Sequence, residues 1–177
     1  MIRFTFVFKG KKYLVTDFKK NNITNKYLSW LNDKERLVYS RHRYIKYTKT
    51  KCYKFLKNIK KNKNLFLAIY CLSEKNHIGN SIIILDRINK SGEISILIGD
   101  KSFLNKGITS YIWKKIIEFI FAKYKLRIMI AGSMADNKAM LKIFKKNKMK
   151  LFVTPKRFLK DNKEIDGVYA YIKNKNF

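Results

Sequence analysis

The sequence predicts a mixed α/β fold in which helices cover the faces of a sheet. Three observations carry this. Strand-like segments alternate with helix-like segments in the order strands, helices, a strand meander, helix, strand, helix, strands. Apolar residues make up 46% of the 177 positions, enough to bury a core. One proline and seven glycines leave no flexible linker, and no repeat or low-complexity tract breaks the chain, so residues 1–177 read as one domain.

The elements follow in order. Residues 2–8 and 12–17 read as two short strands around a Lys9-Gly10-Lys11 hairpin turn. Thr24 can cap a helix running to about Asp33, with Tyr27, Leu28 and Leu31 on one face. A second short helix is expected over Glu35 to Tyr39. Thr48 or Thr50 caps the next, where Cys52, Phe55, Leu56 and Ile59 keep helical spacing. Leu65 to Cys71 is a continuous apolar run and reads as a buried strand. A turn at Ser73 to Asn76 leads to a strand over His77 to Leu85. A turn at Asn89 to Gly92 leads to a third strand of the meander, Glu93 to Gly99. Lys101 to Gly107 is a loop. Ile108 to Lys123 is a helix, with Ile108, Ile112, Ile116 and Ile120 in register. Leu126 to Ala131 is a strand. Asp136 or Asn137 caps a helix to about Lys146 that buries Met140, Leu141 and Phe144. Two strands close the pattern, Leu151 to Thr154 and Val168 to Ile172.

Composition narrows the function classes. Lys and Arg total 41 against 12 Asp and Glu, a net charge of +29. Such a charge suits an anionic partner: nucleic acid, an anionic membrane or a phosphorylated ligand. The excess is mostly Lys, scattered along the chain beside abundant Asn and Ile, as an AT-rich coding sequence produces. A nucleic-acid site would cluster its cations, with Arg prominent. The balance favours a solvated basic surface over a nucleic-acid face. The start of the chain has too short an apolar stretch for a signal peptide. Ile108 to Phe121 carries Lys114, Lys115 and Glu118 and is no membrane span. Cys52 and Cys71 stand far apart and read as reduced thiols in a cytoplasmic protein. His42 and His77 with two distant cysteines make no metal set, and no Ser-His-Asp or Cys-His arrangement can be argued.

The segment Ile94–Gly99, Lys101–Gly107, Ile108–Lys123 is strand, loop, helix. A loop feeding a long helix is an anion cradle, because its backbone N–H groups point outward and the helix dipole favours negative charge. Gly107 lets the backbone come close to a phosphate. Neither a Walker A loop nor a Rossmann fingerprint is present.

The stretch Ile98-Gly99-Asp100-Lys101-Ser102-Phe103-Leu104-Asn105-Lys106-Gly107-Ile108 resembles the acetyl-CoA pyrophosphate loop of the GNAT N-acetyltransferases, [Q/R]-x-x-G-x-[G/A]. Gly107 fits that pattern; Leu104 stands where Gln or Arg is usual, and Thr109 where Gly or Ala is usual. Ala131 to Leu141, with Asn137, is similar to the strand and helix opening that follow in the family. Tyr27 to Asp33, His77 to Asn80 and Glu164 to Tyr169 are similar to the first helix, a central strand and the last strand of its RimJ/RimL-like branch.

The resemblance implies a central, mostly antiparallel sheet flanked by helices and splayed between its fourth and fifth core strands. It implies acetyl-CoA as cosubstrate and direct acetyl transfer to a primary amine. Leu97, Ile98 and Gly99 would lend backbone hydrogen bonds to pantetheine. Leu104, Asn105, Lys106, Gly107, Ile108 and Thr109 would hold the pyrophosphate, and Asn137 the pantetheine arm or leaving sulfur. Glu93 is the first candidate base and Asp100 the second. Phe144 is counted among the cofactor contacts; it stands where many members of the family carry a general-acid Tyr and cannot donate a proton, so Ser133 or a water fills that role, or the thiolate leaves unassisted. Arg41, His42 and Arg43, between two tyrosines, could grip an acceptor such as a nucleotide-linked amino sugar. The alternatives are acetylation of a protein N-terminus, as in ribosomal-protein modification, and a non-catalytic basic protein that binds nucleic acid. Monomer and homodimer are both compatible with the sequence.

Overall fold

The computed structural model describes residues 1–177 apart from the Arg41 side chain. The fold is mixed α/β, with eight strands, mostly antiparallel, and four helices. The chain forms two compact units, residues 1–84 with 95–108, and residues 85–94 with 109–177. No helix is long and apolar enough to cross a membrane.

In the first unit the strand order is β1-β2-β3-β4-β5. β1 (Arg3–Phe8) and β2 (Lys11–Asp17) pair antiparallel around Lys9 and Gly10. Both turn residues have positive φ, 48° and 74°, as a two-residue hairpin with right-handed strand twist requires. β3 (Leu65–Cys71) runs antiparallel to β2 and to β4 (Asn76–Asp86). β5 (Ser91–Ile98) contributes its C-terminal half to this unit. α1 (Asn25–Asn32) and α2 (Lys49–Lys61) start at Thr24 and Thr48, whose side chains accept hydrogen bonds from the N–H groups of Tyr27 and Lys51. Their apolar faces meet the sheet in one cluster. Phe18 stacks on Phe66 at 4.0 Å between centroids, and Tyr27, Trp30, Cys52, Leu56 and Ile59 surround the pair.

The second unit orders its strands β5-β6-β8-β7. β6 (Ile128–Met134) pairs with the N-terminal part of β5 in parallel and with β8 (Lys163–Lys173) antiparallel; β7 (Lys150–Lys160) pairs with β8. Within α3 (Ile108–Tyr124), Ile112, Ile116 and Ile120 are wholly buried, as their four-residue spacing along one helix face dictates. α4 (Lys138–Lys146) is capped by Asn137 and lays Phe144 against Trp113 of α3, 5.9 Å between centroids.

Three features differ from the sequence expectation. Residues 34–39 form turns and no helix. The Asp33 carboxylate accepts from the Arg36 N–H, and the Arg36 side chain leaves the segment for another strand. β6 starts two residues later and runs to Met134. β7 and β8 are eleven residues each, far longer than the apolar cores that announced them. β7 is mostly exposed, so Pro155, Lys156, Arg157 and Lys160 mask its period.

Lysine fills left-handed positions that usually carry glycine. α2 and α4 both end in a Schellman arrangement: Asn64 N–H bonds Ile59 C=O at 3.0 Å, and Met149 N–H bonds Phe144 C=O at 3.1 Å. The residues between are Lys63 and Lys148, with φ of 53° and 54°. A side chain there crowds the following carbonyl. Lys63→Gly and Lys148→Gly each stabilise the protein by about 0.5–1 kcal/mol. Denaturant midpoints check this, and an unchanged midpoint refutes it.

Candidate functional site

The end of β5 is held more tightly than a strand end needs to be. Gly99 N–H and Asp100 N–H both donate to Ile78 C=O, at 2.9 and 3.1 Å. Arg36 Nη1 donates to the carbonyls of Ile98 and Gly99, at 2.8 and 2.6 Å. Two successive peptide groups are thus fixed on both sides. The Trp30 ring lies flat against Gly99, where an added Cβ would come within 1.8 Å of it. Of the backbone groups expected to serve pantetheine, the Gly99 N–H is therefore already engaged. The roles of Arg36 and Trp30 are not legible in the sequence, because no spacing signals a side chain that bonds or packs on a backbone more than sixty residues away.

Asp100 opens the following loop. Its carboxylate accepts from Lys26 Nζ at 2.8 Å, Asn76 Nδ2 at 2.8 Å, and the N–H and Oγ of Ser102. Burial pushes its carboxyl up, but the hydrogen bonds from Lys26, Ser102 and Asn76 outweigh this and hold it well below the usual carboxylate range. It caps the short 3-10 turn Lys101–Phe103. Asn105 and Gly107 then adopt left-handed φ of 60° and 81°. Around Gly107 the space is open, the nearest atom to an added Cβ being on Phe8 at 3.9 Å. Lys106 is exposed, and Leu104 is partly so. Ile108 is buried, so only its backbone can face a ligand, and Thr109 is half-buried at the start of α3. An open backbone with two left-handed residues leading into a helix N-terminus fits a pyrophosphate.

In the second unit, pairing of β5 with β6 covers Ser91–Ile128, Gly92–Met129 and Glu93–Ile130 and stops there. Both strands run on, β5 to Ile98 and β6 to Met134. Glu93 is the last residue of β5 that pairs with β6, and its side chain is exposed. Ser133 Oγ accepts from Asn137 Nδ2 at 3.0 Å, and Asn137 Oδ1 accepts from Met140 N–H at 3.2 Å. Asn137 is thus the helix cap and the anchor of Ser133 at once. Phe144 is wholly buried in the layer between α3 and α4 and presents no surface to a ligand, which removes it from the expected cofactor contacts.

A cavity of about 300 Å³ lies within the first unit, on the face of the sheet covered by α1 and α2. Tyr27, Leu37, Cys52 and Asn80 are its buried members; His42, Phe55 and Ser95 are exposed at its rim. Leu31, Ile82 and Leu97 add apolar wall. His42 Nδ1 pairs with the Tyr47 hydroxyl, and both line the cavity. Arg43 does not: its guanidinium donates to Val38 C=O at 2.6 Å and to the Tyr44 hydroxyl, and stacks on the Tyr44 ring. The Arg41 side chain lies outside the described residues. Burial pushes the Tyr27 hydroxyl and the Cys52 thiol up, so the floor is uncharged at neutral pH. Asn80 is 6% exposed and its Oδ1 has no partner. An orphaned buried acceptor costs about 1–3 kcal/mol.

Beside this wall His77 packs among the rings of Phe18, Tyr27, Trp30 and Tyr70, with Nε2 at 3.0 Å from Gly79 C=O. Burial lowers it to about 4; the bond to Gly79 opposes this, and Lys26 adds to it. The unfolded chain therefore takes up the proton first. The stability is complete above the unfolded value of about 6.5 and is lost as pH falls from there towards 4, by roughly 2–3 kcal/mol. Urea midpoints across that window check the loss. His77→Gln flattens the pH dependence, and an equally steep curve in that variant refutes the assignment.

A family model described as an acetyltransferase (GNAT) domain matches residues 18–150. Among curated protein sequences none matches the chain. Several solved structures share the fold. A ribosomal-protein-S5-alanine acetyltransferase from Vibrio fischeri is 15% identical, covering 98% of each chain, with a TM-score of 0.77. A spermidine N-acetyltransferase from Vibrio cholerae, in complex with CoA and spermine, is 13% identical over 91% of this chain and 95% of its own, with a TM-score of 0.80. RimL, a ribosomal L7/L12 alpha-N-protein acetyltransferase in complex with CoA, is 14% identical over 91% and 93%, with a TM-score of 0.79.

Proposed function

This chain belongs to the GNAT acetyltransferase family, and from that premise we propose that it moves an acetyl group from acetyl-CoA onto the primary amine of a small molecule. The observation that carries the small-molecule reading is the cavity beside β5. It is a concave, mostly apolar pocket at the small end of the range for ligand sites, with a few polar groups at its floor and rim.

The residues divide the work as follows. The backbone of Leu104 to Thr109 holds the pyrophosphate, with Gly107 allowing the close approach and Lys106 adding charge. The end of β5, made rigid by Arg36 and Trp30, positions the thioester, and a backbone N–H near Ile98 meets the carbonyl oxygen as charge develops on it. The amine arrives from the cavity. Glu93, through a water, takes its proton so that the nitrogen lone pair can attack the carbonyl carbon. The new C–N bond forms, the C–S bond breaks, and the thiolate leaves. The proton that the acylated nitrogen then sheds passes to the sulfur by way of the Ser133 hydroxyl, which Asn137 holds. Acetyl-CoA supplies the activated acyl group.

Calorimetry at moderate salt tests this, with CoA and ATP as comparators. Acetyl-CoA and CoA bind in preference to ATP. Weak binding that follows ligand charge alone and vanishes with salt overturns the reading.

A further inference from the structure

The cavity floor holds one polar group that its surroundings leave unanswered. We propose that Asn80 receives the acceptor nitrogen, its Oδ1 taking a hydrogen bond from the amine, and that the acceptor class is a primary amine on an uncharged, apolar body. The assignment rests on the acetyltransferase reading and deepens it.

Asn80 is more than nine-tenths buried, lines the cavity, and its Oδ1 has no donor. Buried carbonyl oxygens are nearly always satisfied, so an orphan at the floor of a cavity marks the place of a ligand donor. Its position along β4 supports this. Gly79, one residue earlier, lets β5 come so close that an added Cβ would meet Leu97 C=O at 2.4 Å. Ser81, one residue later, donates through Oγ to Ser95 C=O at 2.6 Å. Asn80 is therefore locked beside the stretch of β5 that leads into Ile98 and Gly99. An amine on Oδ1 sits next to the strand proposed to carry the thioester.

The remaining lining sets the acceptor's body. No Asp, Glu, Lys or Arg lines the cavity among the described residues. A phosphate or a second ammonium would lose its hydration without a counter-charge. Leu31, Leu37, Phe55, Ile82 and Leu97 instead offer apolar contact. The uncharged floor also favours the neutral amine, the form that has a lone pair to react.

The test uses the full chain with phenethylamine and hexylamine against spermidine and glucosamine phosphate. Phenethylamine and hexylamine are the better substrates by kcat/KM; a preference for spermidine or glucosamine phosphate, whose bodies carry further charge, overturns the proposal. Asn80→Leu keeps the shape and removes the acceptor. It raises KM for phenethylamine about tenfold, leaves CoA affinity within about twofold, and leaves Tm unchanged or higher. Asn80→Gln keeps a neutral carbonyl acceptor and recovers part of that KM. An unchanged KM in Asn80→Leu, or a Tm several degrees lower, sinks the assignment. Calorimetric titration of phenethylamine into the free protein separates this from the parent reading. Binding that Asn80→Leu abolishes supports Asn80 even where acetyl-CoA fails to bind, and absent binding overturns it.

Discussion

Gly99→Ala destabilises the protein by about 3 kcal/mol or more and lowers its yield as a folded chain. The added Cβ would lie 1.8, 2.1 and 2.4 Å from three atoms of the Trp30 ring. Neither side can give way. Trp30 is 5% exposed and wedged by His77 and Tyr27, with ring centroids at 5.2 and 6.2 Å. Moving the backbone instead would break the bonds from Gly99 and Asp100 to Ile78 and from Arg36 to Ile98 and Gly99. Denaturant unfolding of Gly99→Ala, Trp30→Leu and the double variant measures the coupling. The double variant is more stable than the sum of the single losses requires, by about 1 kcal/mol or more. Additive losses would show that the ring contact is not the cause. The strand end proposed to seat the thioester is thus fixed by packing, so acetyl-CoA affinity weakens in any Gly99 variant that still folds.

Glu93→Gln lowers kcat about a hundredfold or more and leaves the acetyl-CoA dissociation constant within about twofold. Glu93 stands at the last paired position of β5 against β6. Gln keeps the shape and the exposed packing, so stability stays within about 0.5 kcal/mol. Only proton acceptance is lost. Thiol release under saturating acetyl-CoA and phenethylamine provides the measurement. Unchanged turnover removes Glu93 from the base role and turns attention to His42 and Tyr47, whose paired side chains line the cavity.

Much of the architecture was legible one element at a time. The isoleucine register of α3, the threonines that cap α1 and α2, and the unbroken apolar run of β3 are local signals, because periodicity and capping depend on neighbours in the chain. The same holds for Gly107, whose left-handed φ follows from a tight loop before a helix. Legibility failed where a residue answers to a distant partner. Residues 34–39 carry helix formers but bend into turns so that Arg36 can reach β5. β7 hides its length because an edge strand with both faces largely exposed needs no alternation. Arg43 sits between tyrosines as the sequence suggested, yet it bonds Val38 and Tyr44 and leaves the cavity without its charge.

The sequence by itself determined the element order, the loop that leads into α3 and, through the family resemblance, the donor. The tertiary structure decided the acceptor side. Only folding brings Tyr27, His42, Tyr47, Asn80 and Leu97 around one cavity, and only there can a buried carbonyl be seen to lack a donor. The reason is physical: a backbone cradle is built from consecutive residues and leaves a local pattern, whereas a cavity is built from side chains of several elements and leaves none.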